Sequence, residues 1–177
     1  MDGQPRYCSV FNSDSSEMVA YNNPLFPAYV VYGILSTYPN YSSVSHWHKD
    51  LEFILIKKGA MTYSVNGKLI ELEEGCGIMV NSRQLHYGFS AKHQECEFIC
   101  IILSPELLQI NNWFYQNCIE PITESSACPY LYLTRSGWTS SVMEKLDELY
   151  DSFGKIPAEA LSYFELMEKY FMLMKLL

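Results

Sequence analysis

The stretch His46-Trp47-His48-Lys49-Asp50-Leu51-Glu52, followed by Phe53-Ile54-Leu55-Ile56-Lys57-Lys58-Gly59, decides how this chain is read. Side chains two apart on an extended strand leave the same face. One strand over 46–57 therefore directs His46, His48 and Glu52 into one space. A third imidazole, His86, stands at a later apolar run. Two or three imidazoles with a carboxylate form a ligand set that divalent transition metals accept, and Zn, Ni, Mn and Fe all fit it. The same four residues would serve equally as barrel-lining groups that hydrogen-bond each other or a guest.

The rest of the chain alternates short β-rich runs with turns. Residues 1–20 are polar and aperiodic, an arm with no core of its own. Asn23-Pro24 and Phe26-Pro27 punctuate the chain, and Ala28 to Tyr38 follows as a first strand. The second is expected over His46–Lys57, ended by Lys58-Gly59, with a separate short strand over Ala60–Val65. Asn66-Gly67 supplies the positive φ of a tight hairpin, and Lys68 to Leu72 returns. Gly75 turns the chain into Ile78–Val80. His86–Phe89 and Cys96–Leu103 complete the strands, with a further one over Leu131–Leu133. Ser104-Pro105-Glu106 has the cap, proline and acid of a helix start, which would run towards Asn117. Residues 136–177 carry two helical stripes. The first holds Trp138, Val142, Leu146, Leu149, Tyr150 and Phe153, with Ser141 and Glu144 spaced as a capping box. Gly154 and Pro157 separate it from the second, which holds Leu161, Phe164, Met167, Tyr170, Phe171 and Met174.

The 177 residues carry 12 Lys+Arg against 20 Asp+Glu, a net charge of −8. Such a chain repels phosphate backbones, which argues against this segment itself binding nucleic acid. Hydrophobic residues make up 49%, enough for a sizeable core. No apolar run has membrane-span length, and Met1-Asp2-Gly3-Gln4 does not open a signal peptide, so a cytoplasmic location is expected. The six cysteines form no C-x-x-C pair and are expected to be buried free thiols.

Short strands without intervening helices point to an antiparallel barrel or sandwich. The spacing H-x-H-x3-E-x6-G with a distant His resembles the cupin motif pair, which implies a double-stranded β-barrel, a jelly roll. Taken with the YSVNGKLIELEEGCGIMV hairpin, the NSRQLHYGFS segment and the closing helix pair, the chain from Tyr21 onward resembles the N-terminal sensing domain of AraC-type transcription regulators. Asn81, Arg83 and Ser90 depart from the second cupin motif, whereas His86 keeps it.

The resemblance implies an arm (1–20), an effector-binding barrel (21–135) and a helical dimerisation segment (136–177). It also implies a separate DNA-binding domain absent from this sequence, consistent with an apolar stripe that runs to Leu177. The expected partners are a small effector, such as a sugar or carboxylate, and a second copy of the chain. His46, His48, Glu52, Ile54, Tyr63, Arg83, His86 and Tyr87 are the expected ligand-binding residues, with Arg83 placed to fork onto a carboxylate. The dimer would use Trp138, Val142, Leu146, Leu149, Phe153, Phe164 and Phe171. The arm would act as a latch. The competing class is a metal-dependent cupin enzyme, a dioxygenase or sugar isomerase. No independent acid–base pair stands near the motif, which favours a binding module.

Overall fold

A computed structural model describes residues 10–22, 26–153 and 160–177. Asn23-Pro24, Gly154, Pro157, the start of the arm and the side chain of Leu161 lie outside the described residues. The strands are β1 (Val10–Phe11), β2 (Glu17–Met18), β3 (Ala28–Ile34), β4 (Leu51–Val65), β5 (Lys68–Glu73), β6 (Gly77–Val80), β7 (His86–Phe89), β8 (Cys96–Leu103) and β9 (Tyr130–Leu133). The helices are α1 (Asn112–Phe114), α2 (Glu120–Thr123), α3 (Thr139–Phe153) and α4 (Ala160–Leu176). The architecture is the expected one, mainly antiparallel β followed by two long helices.

Strand β4 is shared by two walls. Its first half pairs with β8 on one side and β6 on the other, within the order β3-β8-β4-β6-β9. Its second half pairs with β5 and β7. Ile54, Ile56, Phe98 and Cys100 from one wall pack with Met61, Tyr63, Val65 and Leu72 from the other in a single interior cluster.

The anticipated break at Lys58-Gly59 is a β-bulge inside one continuous strand. The pairing with β8 slips by one residue between Ile56 and Lys58. A one-residue slip exchanges the faces of a strand. Even-numbered Glu52, Ile54 and Ile56 face inward before the bulge, and odd-numbered Met61, Tyr63 and Val65 face inward after it. Gly59 makes the turn possible: its φ is +78°, and a Cβ there would lie 2.3 Å from the carbonyl oxygen of Glu95. The expected strand over His46–Lys57 is likewise divided. Residues 46 and 47 make isolated bridges, the chain bends at 49–50, and regular pairing begins at Leu51.

The outer face of the first wall buries Leu51, Phe53, Leu55, Ile99 and Ile101 against α3 and α4. Each such apolar side chain contributes roughly 1.5–3 kcal/mol when fully buried. Tyr170 on α4 is wholly buried and donates its hydroxyl to the Ser104 carbonyl at 3.2 Å, fixing the helix to the end of β8.

Three local expectations are corrected. Pro105–Leu108 is a short 3-10 turn capped by Ser104, and Gln109 leaves helical geometry before Asn111 caps a second start through the Phe114 amide. The helix α3 begins at Thr139, so Ser141 lies inside its first turn and caps nothing there. Of the five cysteines described, all are free, but only Cys96 and Cys100 are buried, and Cys128 is exposed. The Asn66-Gly67 hairpin is as expected, with φ of +50° and +82°.

Gly59→Ala should destabilise the chain by about 2–4 kcal/mol, since it adds a backbone clash to the left-handed conformation. Gly67→Ala, with a φ of +82° and nothing within 4 Å of the added Cβ, isolates the conformational part. In urea unfolding it should cost only about 1–2 kcal/mol. Equal losses in the two variants would show that the bulge is not sterically held.

Candidate functional site

His46 and His86 are brought together by backbone pairing. They form an isolated antiparallel bridge, each amide bonded to the other's carbonyl, at 3.1 and 2.8 Å. Residues so paired project to the same face, and their ring centroids are 4.4 Å apart. The His48 ring lies 5.7 Å from His46 and 5.0 Å from His86. Glu52 reaches the same space from β4. One ligand atom from each of His46, His48, Glu52 and His86 lies within 4.8 Å of all the others, and all four residues are buried.

The tautomers follow from the hydrogen bonds. His46 Nδ1 lies 2.7 Å from the Val44 carbonyl, His86 Nδ1 2.7 Å from the Gln84 carbonyl, and His48 Nδ1 3.1 Å from the Asp50 carbonyl. A carbonyl oxygen only accepts, so each Nδ1 carries the proton. Each Nε2 then faces the cluster, where it bonds a carboxylate when protonated and a cation when not. His48 and His86 approach Glu52 Oε2 through Nε2 at 3.5 Å, too far for a strong hydrogen bond. The buried His86 Nε2 has no hydrogen-bond partner among the described residues. Tying each distal nitrogen to a backbone acceptor is how proteins orient imidazole for a metal.

The charges are set by burial against proximity. Burial raises the Glu52 carboxyl, but the imidazoles of His86 and His48 outweigh it and hold its pKa well below the usual value. Burial lowers His86, against the pull of Glu52. Burial also opposes charge on His46, yet the Glu17 and Glu52 carboxylates prevail and raise its pKa. Tyr63, inward only because of the bulge, donates its hydroxyl to Glu52 Oε1 in a very short contact.

Above the cluster lies a cavity of about 480 Å³. His46, Glu52, Ile54 and Tyr63 line it, as expected, and so do Tyr29, Tyr38, Met61 and Phe98. The β8 residues were legible in principle, because Phe98 and Cys100 pair opposite Ile56 and Ile54 and share their inward face. His48 borders instead a second, more polar recess of about 390 Å³ with Tyr21, Asp50, Arg83 and Glu124. The cluster therefore stands between two hollows.

Two expected ligand-binding residues are brought neither to the chamber nor to the cluster. Arg83 lies on the surface in an ion pair with Glu124. Tyr87 projects to the opposite face of β7 from His86 and stacks on Phe89 at 5.4 Å. The arm, by contrast, comes closer than anticipated. Its described part is a small β1–β2 hairpin fastened to Trp47 by the bonds Glu17 N to Trp47 O (2.8 Å) and Trp47 N to Ser15 O (3.1 Å). It places the buried Glu17 carboxylate 3.1 Å from His46 Nε2 and Phe11 on the cavity wall. No sequence pattern marks Glu17 for this place.

The expected dimerisation residues are also divided. Val142, Leu146 and Leu149 belong to the chain's own core, closing over the sheet, so they offer nothing to a partner. Phe153 and Phe171 are half-buried, while Trp138 and Phe164 are 59% and 70% exposed.

A carboxyl held below its unfolded pKa adds stability that is complete above the unfolded value and lost as pH falls through the folded one. The wild-type unfolding midpoint should therefore drop between about pH 5 and pH 3, and more steeply than that of Glu52→Gln, which has no charge to protonate. Parallel pH profiles for the two would count against a functional charge at Glu52.

A family model described as the AraC-like ligand binding domain matches residues 28–120. An uncharacterized HTH-type transcriptional regulator of Bacillus subtilis (strain 168), YdeC, is 30% identical over 105 residues, which are 59% of this chain and 36% of the relative. The chain thus spans about a third of that relative's length. Among solved structures, plu4264 protein from Photorhabdus luminescens is 16% identical, covering 60% of this chain and 88% of its own, with a TM-score of 0.42. A Cupin 2 conserved barrel domain protein from Salinispora arenicola CNS-205 is 13% identical, covering 49% and 71%, with a TM-score of 0.41.

Proposed function

The chain belongs to the AraC-like ligand-binding domain family, and on that premise we propose that it is the sensory module of a transcription regulator, not an enzyme. The supporting observation is the cavity of about 480 Å³ inside a barrel matched by that family, a size suited to one small molecule. Effector binding shifts the population of arm, barrel and helix arrangements, and DNA responds through a part of the regulator not present in this sequence. The proposed division is arm 1–20, barrel 21–135 and helical segment 136–177. The arm is a latch because Phe11 and Glu17 reach the chamber and the histidine cluster. Among the described residues no helix is long and apolar enough to cross a membrane. A regulator of this kind acts in the cytoplasm.

The donor set also suits a divalent transition metal. Nitrogen acceptors pre-oriented by backbone carbonyls, with one carboxylate, accept Zn, Ni, Mn or Fe without choosing among them. His46, His48, Glu52 and His86 would hold the ion, which would supply a Lewis-acidic contact for an effector donor atom. The chain's own residues orient the guest, exclude water and keep the imidazoles aligned.

A thermal-shift screen with small metabolites tests this reading. A ligand at one hundred times its Kd stabilises by about 2.7 kcal/mol, or roughly 5–10 °C for a domain of this size. Genuine effectors should lose that shift in Ile54→Trp, which fills the chamber, and change it when residues 1–20 are removed. Ligands indifferent to Ile54→Trp would refute the chamber, and an unchanged response without the arm would refute the latch. Zinc should give its own shift, absent in His48→Ala and matched by elemental analysis of the untagged chain. Failure of both zinc readouts would end the metal reading.

Self-association is proposed through the outer surface of the helical segment, where Trp138 and Phe164 remain exposed. Sedimentation at micromolar concentration should give a dimer that Trp138→Glu and Phe164→Glu weaken. A monomeric wild type would dismiss the dimer, and an unaffected dimer would move it elsewhere.

A further inference from the structure

The chamber has a chemical polarity that restricts its guest. Its inner end carries a buried carboxylate. Glu52 lines it, 2% exposed, and Oε1 already receives the Tyr63 hydroxyl. His48 and His86 are anchored through Nδ1 to backbone carbonyls and stand behind Glu52, outside the chamber lining, with Nε2 3.5 Å from Oε2. A carboxylate accepts several hydrogen bonds, so a donor head on a guest can join the Tyr63 hydroxyl at Glu52.

Beyond His46, paired with Glu17, the polar groups of the walls are hydroxyls, those of Tyr32 and Thr37 bonded to Glu97 and to the Ile34 carbonyl. Tyr29, Tyr38 and Phe98 present aromatic surface, and Val31, Ile54 and Met61 add aliphatic surface. Gly33 lets the Phe98 ring lie against the backbone, where an added Cβ would come within 2.5 Å of it. The hydroxyls of Ser42 and Ser43 are engaged with the backbone of Ser43 and Gly88. No Lys or Arg lines the cavity among the described residues. Arg83, the residue expected to meet a carboxylate, is paired outside with Glu124.

A free carboxylate entering this chamber would be desolvated beside Glu52 with no Lys or Arg to receive it and with His46 already paired with Glu17, so its entry is disfavoured. A sugar would bring hydroxyls around its whole ring to walls that can pair few of them, leaving the others desolvated without partners. A flat apolar body fits the aromatic walls and leaves one end for the acceptors. Resting on the reading of the barrel as an effector chamber, we propose that the effector is a largely apolar, planar molecule with a single hydrogen-bond-donating head, an amine or a hydroxyl, held at Glu52, and that free carboxylates and sugars are rejected.

Titration calorimetry of the chelator-treated chain with phenethylamine, phenethyl alcohol, phenylacetate and glucose tests this directly, since the first three share one ring and differ in the head. The amine, the alcohol or both should bind at least about tenfold more tightly than phenylacetate and glucose. Ile54→Trp should abolish that binding, and Glu52→Gln should narrow the gap between amine and phenylacetate. The wild-type ranking decides the matter even if Glu52→Gln fails to fold. Phenylacetate or glucose binding as tightly as the amine and the alcohol would overturn the proposal. If that binding is lost in Ile54→Trp, the chamber still senses an effector but of another class. If no member of the panel binds, the proposal also falls, while chamber-dependent hits from the wider metabolite screen would keep the sensory reading intact.

Discussion

One strand serving two walls is the constraint on which the structure depends. The fifteen residues of β4 pair with four other strands, and a single extra residue between Ile56 and Lys58 lets the chain pass from one wall to the next. Without that slip Tyr63 would point away from Glu52, and the second half of the strand would turn its apolar set to solvent. The bulge needs a left-handed residue with no side chain against the Glu95 carbonyl, which is why Gly59 stands there. The core and the candidate site thus share one geometric origin.

The cluster at the inner end of the barrel shows how a buried charge is tolerated. Glu52 is removed from water but surrounded by the Tyr63 hydroxyl and three imidazoles. The imidazoles are not free to turn, because each is anchored by a backbone carbonyl. The result is a rigid carboxylate site that gains from a donor or a cation and loses from an anion. Rigidity of this kind is what a recognition site requires, since little ordering remains when the guest arrives.

The arm and the helices connect that site to the periphery. The β1–β2 hairpin is hydrogen-bonded to Trp47, between two of the clustered histidines, and carries Glu17 to His46. On the far side of the sheet, α3 and α4 cover residues of β4 and β8 that alternate with those lining the chamber. A guest that displaces Ile54 or Phe98 therefore presses on strands whose other faces support the helices. This contiguity gives the proposed sensory role a physical route through packed elements.

Much of this was legible in the residues themselves. Alternation of apolar side chains and the Asn66-Gly67 turn determined a β-barrel, because strand geometry and turn stereochemistry are local properties. The apolar stripes after residue 136 determined two helices for the same reason. The spacing of His46, His48 and Glu52 named the cluster, but the chain bends at 49–50 and the bridge from His46 to His86 closes it. Arg83 and Tyr87 were indistinguishable by composition from pocket residues, and only their neighbours, Glu124 and Phe89, reveal that they stand outside. Val142 and Leu146 showed an apolar face without showing what covers it. The bulge that turned Tyr63 inward, the docking of Glu17 and the tautomers of the histidines were decided by the tertiary structure alone, because each depends on a backbone or side-chain partner far away in the chain or outside any regular strand.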